Sequence, residues 1–403
     1  MNYNKDGLNV FVSTTGHNDI DYSVFCLFEK RLGMNVFRAV GDQWKEMNIN
    51  VQCESQVERM NGESEFVNEI LFFPLKMEED GGYYNQKYIT FEKFLKMDID
   101  IMVSISNSEE EAFLDLMRKY KKGAKLINMI GNILEMPMFS KNVLLGMKTP
   151  MPSDINYMTY HLEHYEGYYY TAPITHDTIN CFVMLVPYPR ELILWRGLKN
   201  HLSDFTFNMF GQYGEDGAVK HWLMPKAMKD SAFIWNVKPH GGGGFVSRQA
   251  LACGRPNIIR KKYCSMYHSD LFDLYKDGVN CIDLDARSLE ESAELIRKWS
   301  DPSEHVMRCK LIADMFKEDV NFSEEAKRIE KWISEIEENE VSSLVVTKDQ
   351  NEEKIVRFFN EELKRFPRPH ELKIYTDSLL CGEKEEIIRK GIRGRDNGRI
   401  CHE

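Results

Sequence analysis

Apolar positions fall into two successive series in which short continuous runs alternate with helically spaced stripes. The first begins with an apolar run at residues 8–13, a predicted strand that closes on Thr14-Thr15-Gly16-His17-Asn18-Asp19. From Tyr22 to Leu32 the spacing is helical, with Val24, Phe25, Leu27, Phe28 and Leu32 on one face and Gly33 at the stop. Residues 34–40 predict a second strand, and strand, glycine turn, helix, strand opens a Rossmann-like half. The pattern continues with a strand at 65–75, a helix at 89–96, a buried parallel strand at 99–105, an amphipathic helix at 109–120 and strands at 124–130 and 142–145.

Residues 146–178 are rich in Pro, Tyr, Met and His without clear period, which places an interdomain linker there. The second series has strands at 181–186 and 205–210, helices at 190–202 and 219–229, and then a glycine-rich unit. Ser288-Leu289-Glu290-Glu291 is a capping box that opens a helix running to Trp299. Another helix is predicted over 323–338, with Ala326, Ile329, Trp332, Ile333 and Ile336 on one face. Beyond 341 helices are expected at 352–366 and 383–390. The expected organisation is therefore α/β, with Rossmann-like domains at 1–165 and 166–338 and a partly helical extension at 339–403.

The glycine-rich unit, Ala232–Ile259, reads as strand, loop, helix, strand. Phe233, Ile234 and Val237 suit a buried strand, and Gly241, Gly242, Gly243 and Gly244 follow Lys238-Pro239-His240. A helix from Phe245 to Cys253 ends at Gly254 with Pro256 beyond. A helix that starts from a glycine turn directs unpaired N–H groups and the positive end of its dipole at whatever lies above the loop, a geometry that suits phosphate.

Lys238-Pro239, the glycines, Gln249-Ala250-Leu251-Ala252-Cys253-Gly254 and Arg255-Pro256 resemble the nucleotide-sugar loop of GT-B glycosyltransferases, in the branch ending Glu-Ala-Xaa-Ala-Cys-Gly-Xaa-Pro. Leu274-Tyr275-Lys276-Asp277-Gly278-Val279-Asn280 resembles that fold's next element, a helix end and turn before a strand. The resemblance implies two Rossmann-like domains facing across a cleft, a donor such as a uridine diphosphate sugar held by the second, and a hydroxyl acceptor chosen by the first. It also implies that the late helix crosses back to the first domain. Two glutamates common in that branch are Gly241 and Gln249 here. Gln249 keeps the capacity to hydrogen-bond a ribose, whereas Gly241 offers backbone alone.

Composition narrows the alternatives. A net charge of -11 argues against a nucleic-acid binder that works by broad positive charge. The local exception is Arg389 to Arg399, a candidate anion- or DNA-contacting tail beside the reading of a solvated terminus. Nine cysteines without a C-x-x-C point to reduced thiols, and with no signal-like N-terminus or membrane-length apolar run a cytoplasmic protein is expected.

For transfer of a sugar, the departing diphosphate requires neutralisation, by the amides of Gly242, Gly243, Gly244 and Phe245, by Lys238, and by Arg190 after the second domain's first strand, with Arg196 as competitor. His17 is the candidate base for an inverting reaction, with Asp19 or Asp21 to orient its ring. Branch members resembling the Ala-Cys-Gly motif mostly retain configuration and need no such base. Asp98-Ile99-Asp100 and Asp283-Leu284-Asp285 have Asp-x-Asp spacing but read as strand punctuation, so neither metal nor cofactor is indicated. An epimerase or phosphorylase of the same fold and a non-catalytic nucleotide-sugar-binding protein are the alternatives. A nicotinamide oxidoreductase is disfavoured because Thr15-Gly16-His17-Asn18-Asp19 lacks G-x-G-x-x-G.

Overall fold

In the computed structural model, two β-sheets with flanking helices carry the chain. The structure describes residues 7–14, 18–49, 51, 65–67, 69–77, 83–105, 109–130, 140–146, 151, 155–183, 187–211, 214–239, 244–266 and 269–336, with isolated positions between 355 and 392.

The first half contains β1 (Asn9–Val12), α1 (Asn18–Phe25), β2 (Asn35–Ala39), α2 (Asp42–Lys45), β3 (Glu65–Val67), β4 (Ile70–Lys76), β5 (Tyr83–Ile89), α3 (Phe91–Lys96), β6 (Ile101–Ile105), α4 (Glu110–Tyr120), β7 (Lys125–Ile130), β8 (Asn142–Leu145) and β9 (Asn156–Thr159). Its sheet has the order β3-β4-β5-β2-β1-β6-β7-β8-β9, parallel except where β4 pairs with β3 and β5. Every residue of β2 and β6 is buried, as expected for parallel strands covered on both faces. α1 passes directly into a π-helical segment, Cys26–Arg31, before Gly33 turns the chain into β2.

The second half contains β10 (Thr178–Cys181), α5 (Pro189–His201), β11 (Thr206–Met209), α6 (Met224–Lys229), β12 (Phe233–Trp235), α7 (Phe245–Ala252), β13 (Asn257–Ile259), α8 (Lys261–Met266), α9 (Leu271–Leu274), β14 (Cys281–Asp283), α10 (Leu289–Trp299), α11 (Pro302–Asp319) and α12 (Phe322–Glu335). Its sheet is wholly parallel, in the order β11-β10-β12-β13-β14. The Ser288 hydroxyl accepts from Glu291 N–H at 3.2 Å while the Glu291 carboxylate accepts from Ser288 N–H at 2.8 Å, which is the predicted capping box.

Several expectations need correction. The strand expected at 65–75 is two antiparallel strands, turned at Glu69 with a positive φ of 66°. β5 was hidden from the pattern because it buries Gln86 and Lys87 between tyrosines. The expected linker carries β9, which extends the first sheet beyond β8, and a 3-10 turn at Glu166–Tyr168. In the segment expected to be helical from 219, a 3-10 turn at His221–Leu223 precedes α6, whose first turn accommodates Pro225. α11 escaped notice because its buried stripe includes His305 and Cys309 while Met307 and Leu311 face outward.

As the resemblance implies, α12 returns to the first sheet. Trp332 Nε1 donates to Asn156 Oδ1 at 2.9 Å, and Lys125 Nζ donates to the carbonyl of Ile333 at 2.7 Å. A single apolar cluster joins Val10, Val103 and Ile127 of the first sheet to Leu251 of α7, Ile312 of α11 and Ile329 of α12. In the extension, Ile355, Phe358, Ile388 and Ile392 are helical and pack with Tyr375, and Glu385, Glu386 and Arg389 are helical as well; the other residues of the two helices expected there lie outside the described set.

Candidate functional site

β12 ends at Trp235, and the next side chain, Asn236, is buried beneath the loop. Its amide donates to Tyr275 Oη at 3.1 Å and to the Ser247 hydroxyl. That hydroxyl also accepts from Gly244 N–H at 3.2 Å, so the base of the loop is tied to the first turn of α7. Gly244 has φ 156° and ψ -154°, a conformation that favours glycine, and a Cβ there would stand 3.5 Å from Lys238 Nζ. The Lys238 ammonium therefore lies beside Gly244. The side chain reaches solvent, yet protein crowded around the charge lowers its pKa from the ordinary lysine value.

Because its N–H is engaged by Ser247, Gly244 is not among free amides facing an anion in this conformation; the opening N–H groups of α7 follow it, with Phe245 half-buried. Gly241, Gly242 and Gly243 lie outside the described residues, as does His17. Arg190 is exposed in the first turn of α5, and Arg196 is exposed further along the same helix. The rest of the loop motif is structural. Gly254 has φ 73°, and a Cβ there would meet the Cys309 carbonyl at 2.2 Å. The Arg255 guanidinium is buried and donates to the carbonyls of Lys229, Thr171 and Cys253.

Asp19 and Gln249 meet. Gln249, buried on α7, donates through Nε2 to Asp19 Oδ1 on α1 at 3.1 Å. Asp21 is committed elsewhere: it lies buried 3.5 Å from the Arg38 guanidinium. The two Asp-x-Asp segments serve the backbone, since Asp100 accepts from Asn9 N–H at 2.7 Å and Asp283 from the N–H groups of Lys261 and Asp285, both at 3.0 Å.

Next to Gln249 runs a buried ionic chain that the sequence did not disclose. Arg248 donates to the Gly146 carbonyl at 2.9 Å and to Asp270 Oδ2 at 2.6 Å. His161 places Nε2 3.1 Å from the same Asp270 oxygen and Nδ1 2.6 Å from Glu325 Oε1, while its backbone N–H donates to Glu325 Oε2 at 2.9 Å. A neutral imidazole has one N–H, so two carboxylates on its two nitrogens favour the imidazolium. Burial opposes that charge, but hydrogen bonds to Asp270 and Glu325 prevail and raise the His161 pKa. Burial likewise would raise Asp270, but Arg248 and His161 hold it well below the usual carboxylate range. His164 is the opposite case. Neither ring nitrogen has a hydrogen-bond partner, and burial, reinforced by Arg248, drives its pKa down to about 3. The only sequence signal for this chain was the presence of Arg248 inside the loop helix; its partners come from three distant segments.

Nothing matches the sequence among protein-family models or curated proteins. Structural comparison gives the class: this is a GT-B fold. TarM of S. aureus is similar at a TM-score of 0.51 with 10% identity, over 82% of this chain and 99% of that one. The catalytic domain of starch synthase IV from Arabidopsis thaliana, bound to ADP and acarbose, is similar at 0.51 with 10% identity, over 81% and 98%. Both neighbours are GT-B glycosyltransferases. Among the described residues no helix is long and apolar enough to cross a membrane.

Proposed function

We propose that the protein is a glycosyltransferase that moves a sugar from a nucleotide-diphosphate donor, a uridine diphosphate sugar, to a hydroxyl of an acceptor. The observation that carries this is Lys238 beside Gly244 at the start of α7, on a GT-B scaffold. The ammonium and the N-terminal turn of α7 supply positive potential where the leaving diphosphate develops charge. Residues 166–338 act as the donor domain and 1–165 as the acceptor domain, with α12 returning to the latter; 339–403 form the extension. Gln249, through Asp19, fixes the donor helix against the acceptor domain.

His17 is the proposed base of an inverting reaction. The test is product analysis with a labelled uridine diphosphate sugar and an acceptor panel of glycans, small alcohols and DNA carrying hydroxylated bases. His17→Ala should lower turnover by roughly 10²–10⁴-fold with donor affinity kept. Full activity in that variant, with retained anomeric configuration in the product, would replace the base mechanism by a retaining one. Donor binding without any turnover would leave a nucleotide-sugar-binding protein. If DNA is the acceptor, loss of Arg389–Glu403 should flatten the salt dependence of its binding.

A further inference from the structure

A groove of about 480 Å³ runs between α1 with its π-helical continuation and the β4–β5 hairpin. Its size is in the range of small-molecule sites, roughly 300–1,000 Å³. It starts at Tyr22, one turn along α1 from Asp19, and reaches Glu29 and Asn35 at the far end, away from the contact between Asp19 and Gln249. Its walls are aromatic. The Tyr22 ring lies 5.3 Å from that of Tyr84 and 5.5 Å from that of Tyr165, and Phe25 lies 4.7 Å from Tyr84. Phe25 and Tyr165 are half-buried, so the groove presents aromatic surface to solvent.

The charges in this groove are already partnered. Lys87 is ion-paired with Glu29 in a nearly buried contact, and Lys30 lies 3.8 Å from Glu166 and donates to the Tyr22 hydroxyl at 3.2 Å. With Lys87 neutralised by Glu29, the one lining cation left among the described residues is Lys30 at the rim, beside Glu166, which gives a phosphate or carboxylate little to bind. A ligand entering here meets apolar ring surface edged by hydroxyl, amide and ammonium groups, including the exposed Asn85. A sugar ring has that character, with apolar C–H faces and hydrogen-bonding hydroxyls around its edge.

From this we infer that the groove is a binding site for a short neutral saccharide, separate from the nucleotide loop. Its use in holding an acceptor glycan rests on the transferase reading; the binding itself does not. The test is saturation-transfer difference NMR on the full chain with maltose, cellobiose and lactose. At least one should give a signal that persists when UDP is added. Asn85→Trp, which fills the groove from its exposed rim, and Tyr165→Ala, which removes a wall, should each abolish it, with thermal melts confirming that the variants fold. Absence of signal from all three sugars, displacement by UDP, or an unchanged signal in folded Asn85→Trp would overturn the site. Calorimetry of UDP binding to the wild-type chain reads the other proposal separately: a saccharide signal without UDP affinity supports the groove and removes the donor-site reading alone.

Discussion

Gln249 Nε2 and Asp19 Oδ1, 3.1 Å apart, join the helix behind the glycine loop to the first helix of the chain across 230 residues of sequence. Read from the sequence, these residues have separate tasks, one on a ribose and one behind a histidine. In space they form one contact between the two halves. It also accounts for the glutamine: the glutamate of the resembling motif would set a second carboxylate against Asp19.

Gln249→Glu should therefore lower stability at neutral pH, because two like charges at that distance repel. Asp19→Asn in the same chain should recover the loss, with a coupling of about 1 kcal/mol by double-mutant cycle in urea. Additive effects of the two substitutions would show that the contact carries no energy.

Gly244→Val should abolish UDP binding while leaving a folded protein. The backbone conformation there costs a branched residue about 1–3 kcal/mol, and the new side chain enters the space beside Lys238 Nζ. Calorimetry and a thermal melt on the same sample check both halves of the statement.

The ionic chain sets a pH dependence with a definite sign. His161 has a folded pKa above its ordinary 6.5, so its contribution to stability is present below 6.5 and is lost as pH rises through the folded value. Asp270 has a folded pKa below its ordinary 3.8, so its contribution is present above 3.8 and is lost as pH falls through the folded value. Urea midpoints should fall on the alkaline side in the wild-type chain, and His161→Gln should flatten that limb and also weaken the acid one, because His161 shares with Arg248 the task of holding Asp270 low. Asp270→Asn should cost about 3–5 kcal/mol, since it leaves the buried Arg248 without its carboxylate.

His164→Phe should hold or raise the melting temperature. The imidazole is buried among Tyr168, Phe316 and Phe322 with both nitrogens unpaired, and an unmade buried hydrogen bond costs about 1–3 kcal/mol. A large loss on this substitution would point to a partner for the ring.

Parallel strands such as β1, β2, β6, β7 and β12 were legible because each is a short run of apolar residues, as at Ile101–Ile105 and Phe233–Trp235. The start of α7 was legible because Gly244 and the Gln-Ala-Leu-Ala-Cys-Gly helix are adjacent in sequence, and Lys238 lies beside that glycine in space. What escaped is what depends on distant partners. Gln86 and Lys87 look like surface residues until Tyr84 and Glu29 are placed beside them, and His161 looks like linker until Asp270 and Glu325 close on it.

The return of α12 has a practical corollary for dissection. A chain cut once between the halves would separate Trp332 from Asn156, Ile333 from Lys125 and Glu325 from His161, stripping one wall from the fragment that ends near residue 165. A first-half fragment would need the helix grafted back through a designed connection, while a second-half fragment lacking it would end at α11.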